Sequence, residues 1–374
     1  MRRRFLIPLV LLVGAFLWLG LAGGESPSEE PLSRPAPYRF ASPEVGINVH
    51  LWWDRWAAQR DWRLVSEGGF IWAKQRVAWR DVRPYQDLPY DWTTTDAIVE
   101  EAEVWDVALV FRLDNPPAWA ETDDLPPYDP EAFGLFCGDV AARYTGRVRG
   151  YQVWNEPNLA REWGGRVPDP EGYVTLLKAC ATAIRHADPA ALVITAGLAP
   201  TGSGPPVALP DLDFLAGMYE SEAAPHFDLL GLHAPGYAAP PEVSPEEVAS
   251  TPAYGGQRFF CFRHIEEARE VMEAYGDGDK QVAVLEFGWT TDPIHADYAW
   301  FAVSPEEQAD YLVRAVNYAQ EHWSPWVGPM FVWNLPDPFW TPENEEFWWS
   351  IADPFHWEGG EVRKAYDALV GMGR

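Results

Sequence analysis

Apolar positions along the chain follow two patterns that take turns. Short runs dense in Val, Ile, Leu, Phe and Trp occupy residues 44–51, 70–79, 107–113, 148–154, 191–197, 227–233, 281–287 and 327–333. They are nearly continuous rather than alternating, as expected of parallel strands covered on both faces. The intervals between them carry helical spacing, as in Tyr311, Leu312, Ala315, Val316 and Ala319 on one face. Helix starts are marked as well. Asp129-Pro130-Glu131 and Asp169-Pro170-Glu171 place an N-cap acid before Pro, and Ser244-Pro245-Glu246-Glu247 and Ser304-Pro305-Glu306-Glu307 read as capping boxes. Eight strand–helix units predict an α/β chain closed into a single (β/α)8 TIM barrel with long βα loops. An open doubly wound sheet would need a Gly-rich phosphate turn near its first strand, and Ile47-Asn48-Val49-His50 is not one.

The ends of the chain add a second layer. Arg2-Arg3-Arg4 followed by an apolar run over 5–22 reads as a signal peptide or N-terminal membrane anchor spanning 1–24. Either form leaves the arginines in the cytoplasm and exports the rest. The expected location is therefore extracellular, or the outer face of the cytoplasmic membrane through a tether at 5–22. Residues 25–43 form a polar Pro-rich linker, and 44–374 the barrel domain. Cys137, Cys180 and Cys261 are far apart in sequence, so no disulfide framework is expected and each reads as a small buried residue.

Charge narrows the ligand. With 56 acidic against 28 basic residues the net charge is −28, which excludes a nucleic-acid cradle and favours a neutral or cationic ligand. Aromatic residues are abundant in loop-like stretches, as at Trp52, Trp53 and Trp56, or Phe339 and Trp340. Rings placed there suit the apolar faces of sugars. The eight His are scattered, with no metal-ligand spacing, and neither a metal nor a cofactor is expected.

Two strand ends carry the chemistry. The fourth run ends Trp154-Asn155-Glu156-Pro157, and the seventh ends Leu285-Glu286-Phe287-Gly288-Trp289. A carboxylate at the end of a buried strand is costly without a purpose. The fourth and seventh strands of an eight-stranded barrel face each other across its mouth. Two carboxyls about 5–5.5 Å apart are the arrangement of retaining glycoside hydrolysis, one as nucleophile and one as acid/base.

These phrases, with Phe331-Val332-Trp333-Asn334, resemble clan A glycoside hydrolases, and most closely family 39 and its bacterial relatives, over residues 44–370. The resemblance implies a retaining O-glycosidase cleaving β-type bonds of a plant or microbial oligo- or polysaccharide. Glu156 matches the acid/base, Glu286 the nucleophile, Asn155 the residue bonding the sugar 2-hydroxyl, and Trp333 the floor of the subsite. Relatives place a His or Tyr where His233 ends the sixth run, and Tyr237 follows in its loop. Asp114-Asn115-Pro116-Pro117-Ala118-Trp119 resembles the family's Pro-Pro-Trp turn and brings Trp119 toward the cleft.

An ionised nucleophile needs a cation. Lys74 and Arg76 share one face of the second run, and relatives carry Arg near the position of Lys74. A raised pKa suits the acid, and Trp154 and Trp163 offer it an apolar setting. Asn48, His50, Asp114 and Asn115 are further candidates for sugar hydroxyls. The alternative to an enzyme is an exported, catalytically silent glycan-binding barrel.

Overall fold

The computed structural model describes residues 38–123, 126–356 and 361–373. The expected leader 1–24 and linker residues 25–37 lie outside the described residues. The strands are β1 Glu44–Val49, β2 Trp72–Ala78, β3 Ala108–Asp114, β4 Gly150–Val153, β5 Leu192–Ile194, β6 Leu229–Pro235, β7 Gln281–Gly288 and β8 Val327–Val332. They form one closed barrel in chain order, each pair parallel. All eight runs read from the sequence are strands of this barrel.

Two apolar layers hold it. Inside the barrel, Trp72, Val110, Leu192, Ile194, Leu229, Ala283, Leu285 and Phe331 fill the lower half, with Phe40 packed among them. Outside, the other strand faces pack on helices in one continuous core. Side chains alternate along a strand, so each second residue above this filling also points inward. Trp72 is followed by Lys74 and Arg76, Val110 by Arg112 and Asp114, and Leu229 by Gly231 and His233. The barrel interior thus changes from apolar to charged toward the carboxyl ends of its strands.

β7 departs from strict alternation. Leu285 points into the core, so Glu286 would point out. The register between β6 and β7 shifts there, pairing Leu232 with Val284 but His233 with Glu286. Such a bulge re-aims the next side chain, and Glu286 turns to the mouth. Asn48 on β1 donates to the carbonyls of Leu285 at 3.1 Å and Val332 at 3.2 Å, so it serves the barrel backbone rather than the site.

Helix starts follow the expected chemistry in part. Asp129 accepts from the N–H groups of Glu131 and Ala132, and the Ser304–Glu307 capping box is complete. Asp169 holds the N-cap position without a side-chain hydrogen bond.

One expectation is corrected. Cys137 and Cys180 form a disulfide, with Cα atoms 5.3 Å apart. It joins helices Pro130–Arg143 and Pro170–Ala187, which flank β4. Forty-three residues and a strand separate the two cysteines in sequence, so only helix packing reveals the pair. The close approach depends on small residues. A Cβ on Gly138 would lie 3.1 Å from Ala183 Cβ, and one on Gly134 would lie 3.2 Å from Ala179. Cys261 is free and buried, as expected.

Candidate active site

The chain leaves β4 through a strained turn. Trp154 has φ of 74° and Glu156 φ of 40°, left-handed values that cost a non-glycine residue about 1–3 kcal/mol each. Packing and hydrogen bonds hold them. Trp154 Nε1 donates to the Glu162 carbonyl at 2.9 Å, its ring packs against Trp163, and Glu156 N–H donates to Gly197 O at 3.0 Å. The turn presents Asn155 and Glu156 to the barrel mouth.

Glu286 meets them from β7. Lys74 Nζ donates to Glu286 Oε1 at 3.2 Å, and Arg112 Nη1 lies 3.7 Å from the same oxygen. Lys74 is therefore the residue of the expected pair that contacts Glu286. Arg76 instead donates to Asp114 Oδ1 at 2.7 Å, and Asp114 Oδ2 lies 2.9 Å from Arg112 Nε. Arg112 also donates to Asn155 Oδ1 at 3.3 Å, which orients the amide with Nδ2 available to a ligand. Asp114 is thus a fixed anchor for two arginines, and its buried carboxylate is occupied by them.

His233 spans the two carboxylates. Its Nδ1 donates to Glu156 Oε1 at 3.0 Å, since a carboxylate can only accept. Its Nε2 lies 3.6 Å from Glu286 Oε1. The ring is buried and leans on Gly197, where a Cβ would stand 2.1 Å from Nε2, so a side chain there would displace it. On the opposite side Arg161, whose side chain is 68% exposed, donates to Glu156 Oε2 at 3.3 Å.

These contacts decide the charges. Burial alone would raise Glu156, but the hydrogen bond and charge of His233, with Arg161, outweigh it and hold the carboxyl down at about 2. The raised value expected from Trp154 and Trp163 is not found, because the hydrogen-bond donors His233 and Arg161 dominate the apolar setting. Burial lowers Lys74 to about 8; Glu286 opposes that shift, and Arg112 adds to it. Burial, then the charges of Arg112, Arg76 and Lys74, hold His50 neutral at about 3.

Asn155, Glu156, His233, Tyr237, Glu286, Trp333 and Arg76 line one cavity of about 490 Å³. Tyr237 is fixed by donating to Pro200 O at 3.3 Å and by packing on Phe301 and Phe260. His50 stands behind that lining, 5.8 Å from the Trp333 ring and 4.6 Å from Trp340. Among the described residues its buried Nε2 has no hydrogen-bond partner. Trp119 is not part of the lining. It packs edge-on against Trp79 and under Arg83, so the Ala118–Ala120 turn leaves it half-buried against the barrel's outer layer.

Sequence reading passed over Arg112 and Arg161, which line the cavity together with Glu345 and Glu346 from the aromatic and acidic stretch after the eighth strand. Arg112 had a signal: it sits in an apolar strand, in register with Arg76. Arg161 had none, because it comes from a short loop turn after the Asn-Glu-Pro phrase. Among the described residues there is no cluster of His, Cys, Asp and Glu able to hold a metal ion.

The closed (β/α)8 barrel is a fold shared with solved glycoside hydrolases. The chain is similar to a family 39 glycoside hydrolase from the gut symbiont Bacteroides cellulosilyticus WH2, at 18% identity and a TM-score of 0.64, covering 90% of this chain and 65% of that one. It is similar to a family 39 β-xylosidase from Caulobacter crescentus, at 19% identity and a TM-score of 0.57, covering 91% and 73%. A family 10 endoxylanase from a sugarcane soil metagenome matches at 14% identity and a TM-score of 0.57, covering 88% and 97%. The chain spans about two thirds of the length of the first of these enzymes. No protein-family model matches the sequence, and no curated protein is significantly similar to it.

Proposed function

We propose that this protein is a retaining O-glycosidase that hydrolyses β-type bonds of a plant or microbial oligo- or polysaccharide. One observation carries the reading. Two strand-end glutamates from opposite sides of the barrel lie against the same imidazole, Glu156 at 3.0 Å and Glu286 at 3.6 Å. The shared imidazole brings both carboxylates to one sugar-sized space, and a strand-end pair about 5–5.5 Å apart serves double displacement. An oxygen of Glu286 attacks the anomeric carbon while the glycosidic C–O bond breaks and the leaving oxygen takes a proton from Glu156. Water then gives its proton to Glu156 as its oxygen attacks the same carbon, and Glu286 leaves as carboxylate.

The resting charges fit a shuttle. Glu156 is ionised in the empty site, the form needed for the second step. For the first step a doubly protonated His233 would pass the proton on Nδ1 to the Glu156 oxygen bonded to it and be left as the neutral ring. Lys74 and Arg112 place positive charge beside the Glu286 oxygen. Asn155, oriented by Arg112, and Trp333 supply sugar contacts.

Export also has support. A disulfide between two buried helix faces persists in oxidising compartments. That accords with a secreted or membrane-tethered protein.

The test is turnover of aryl β-glycosides by Glu156→Gln and Glu286→Gln. Both should lose activity, and azide should restore a Glu286→Ala variant with an inverted glycosyl azide product. Undiminished hydrolysis by both Gln variants would sink the assignment. Glycan binding by the native chain without any product would point to the silent barrel.

A further inference from the structure

The loops after β1 and β8 hold aromatic side chains that the site does not use. Trp53, Trp56 and Phe339 are 59%, 72% and 60% exposed. Single exposed rings are common, but neighbouring ones at one rim of a barrel mouth call for a reason.

The segments that carry these rings are tied together. Asp54 caps helix Arg55–Glu67 by accepting from Trp56 N–H at 2.8 Å and Ala57 N–H at 3.0 Å. Its other oxygen accepts from His356 Nε2 at 2.9 Å. The His356 ring stacks on Phe339 with centroids 5.5 Å apart and planes 18° from parallel. The backbone around Asp54, which carries Trp53 and Trp56, and Phe339 beneath His356 are therefore held together as one ridge. A ridge set before binding loses little entropy when a ligand lands on it.

The ridge follows the carboxyl ends of β1 and β8, on the same barrel mouth as the cavity. From Trp333 in the lining, ring contacts pass to His50 and on to Trp340, which is the chain neighbour of Phe339. A ligand longer than the cavity would emerge onto these rings. They offer flat apolar faces, with Asp54 and His356 between them as polar groups for hydroxyls. A sugar ring has this same mixture of C–H faces and hydroxyl edges. The net charge of −28 disfavours an anionic polymer or an anionic bilayer over the same surface.

Building on the glycosidase reading, we propose that Trp53, Trp56 and Phe339 form a platform for a neutral glycan chain, holding the sugars beyond the one bound at the carboxylates. The enzyme would then act on polymers in preference to short glycosides.

The test compares native protein with the triple variant Trp53→Ala, Trp56→Ala, Phe339→Ala. Native gels are cast with barley β-glucan, arabinoxylan or galactomannan, and flotation uses phosphatidylcholine–phosphatidylglycerol vesicles. The native protein should be retarded by at least one of the polymers, and the triple variant at least about ten-fold less. Activity of the variant on a 4-nitrophenyl β-glycoside should stay within about two-fold of native. Equal retardation of the two proteins, retardation of neither, or ridge-dependent flotation with the vesicles in place of retardation would each overturn the proposal. Retardation needs no turnover, so it is read independently of catalysis. Failure of the glycosidase reading would show instead as no aryl glycoside hydrolysis by the native protein.

Discussion

Nδ1 of His233 lies 3.0 Å from Oε1 of Glu156, and this bond sets the resting charge of the acid/base candidate. A carboxyl as buried as Glu156 would ordinarily resist ionisation. The imidazole donor reverses that tendency, with help from Arg161. The pair couples β4 to β6 at the barrel mouth and places a proton beside the oxygen that must deliver it.

Replacing His233 should therefore release Glu156. In His233→Gln the Glu156 carboxyl is expected to rise from about 2 toward the ordinary glutamate range. Carbon-13 NMR of the glutamate carboxyls would follow it. With the shuttle gone, kcat/KM should fall by about 10²-fold, the lower range for losing acid–base assistance. A Glu156 titration that does not move would show that His233 is not its controlling partner.

Lys74 predicts the alkaline limb of activity. Burial holds its pKa down at about 8. It is thus a cation supporting Glu286 below that pH and a neutral amine above it. The pH profile of kcat/KM should decline through about pH 8. In Lys74→Met the decline should vanish and activity at neutral pH should already be low. An unchanged alkaline limb in that variant would assign the titration elsewhere.

His264 predicts a pH-dependent stability away from the site. It is buried between Asp211 Oδ2 at 2.7 Å and Glu267 Oε2 at 2.8 Å. Burial opposes its charge, but the hydrogen bonds and charges of these two acids outweigh it and push the imidazole to about 9. A folded-state pKa above the unfolded 6.5 adds stability that is complete below about pH 6.5 and is lost as pH rises through about 9. His264→Gln leaves the buried Asp211 without its cation, while Glu267 keeps Arg258 at 2.6 Å, at a cost of about 3–5 kcal/mol. Thermal melts should show the variant far less stable at acidic and neutral pH, with the gap narrowing above about pH 9. A constant gap across that range would contradict the charged pair.

The Cys137–Cys180 bond predicts a redox effect on folding but not on chemistry. Cross-linking a loop of 43 residues is worth about 4 kcal/mol through the entropy of the unfolded chain. A Cys137→Ala, Cys180→Ala variant should unfold at lower denaturant, near the midpoint of the reduced native protein, and keep its kcat. An identical midpoint for oxidised and reduced native protein would argue against the bond.

The sequence by itself determined the barrel and the two glutamates. Eight apolar runs, each long enough to bury both faces of a strand, leave few ways to close. A carboxylate that ends such a run has a signature readable in one dimension. Asn155, His233 and Trp333 were legible for the same reason, because each stands where a buried strand meets its loop. Only tertiary structure decided how these groups are wired. Alternation would turn Glu286 outward, and the bulge in β7 that turns it inward depends on pairing with β6. Lys74 and Arg76 lie on one face of β2, yet only the neighbouring strands send the first to Glu286 and the second to Asp114. Arg112, Arg161 and the disulfide come from segments far apart in the chain. Their contacts, and the charge of Glu156 that follows from them, are set by distances across the barrel, which no spacing along the chain encodes.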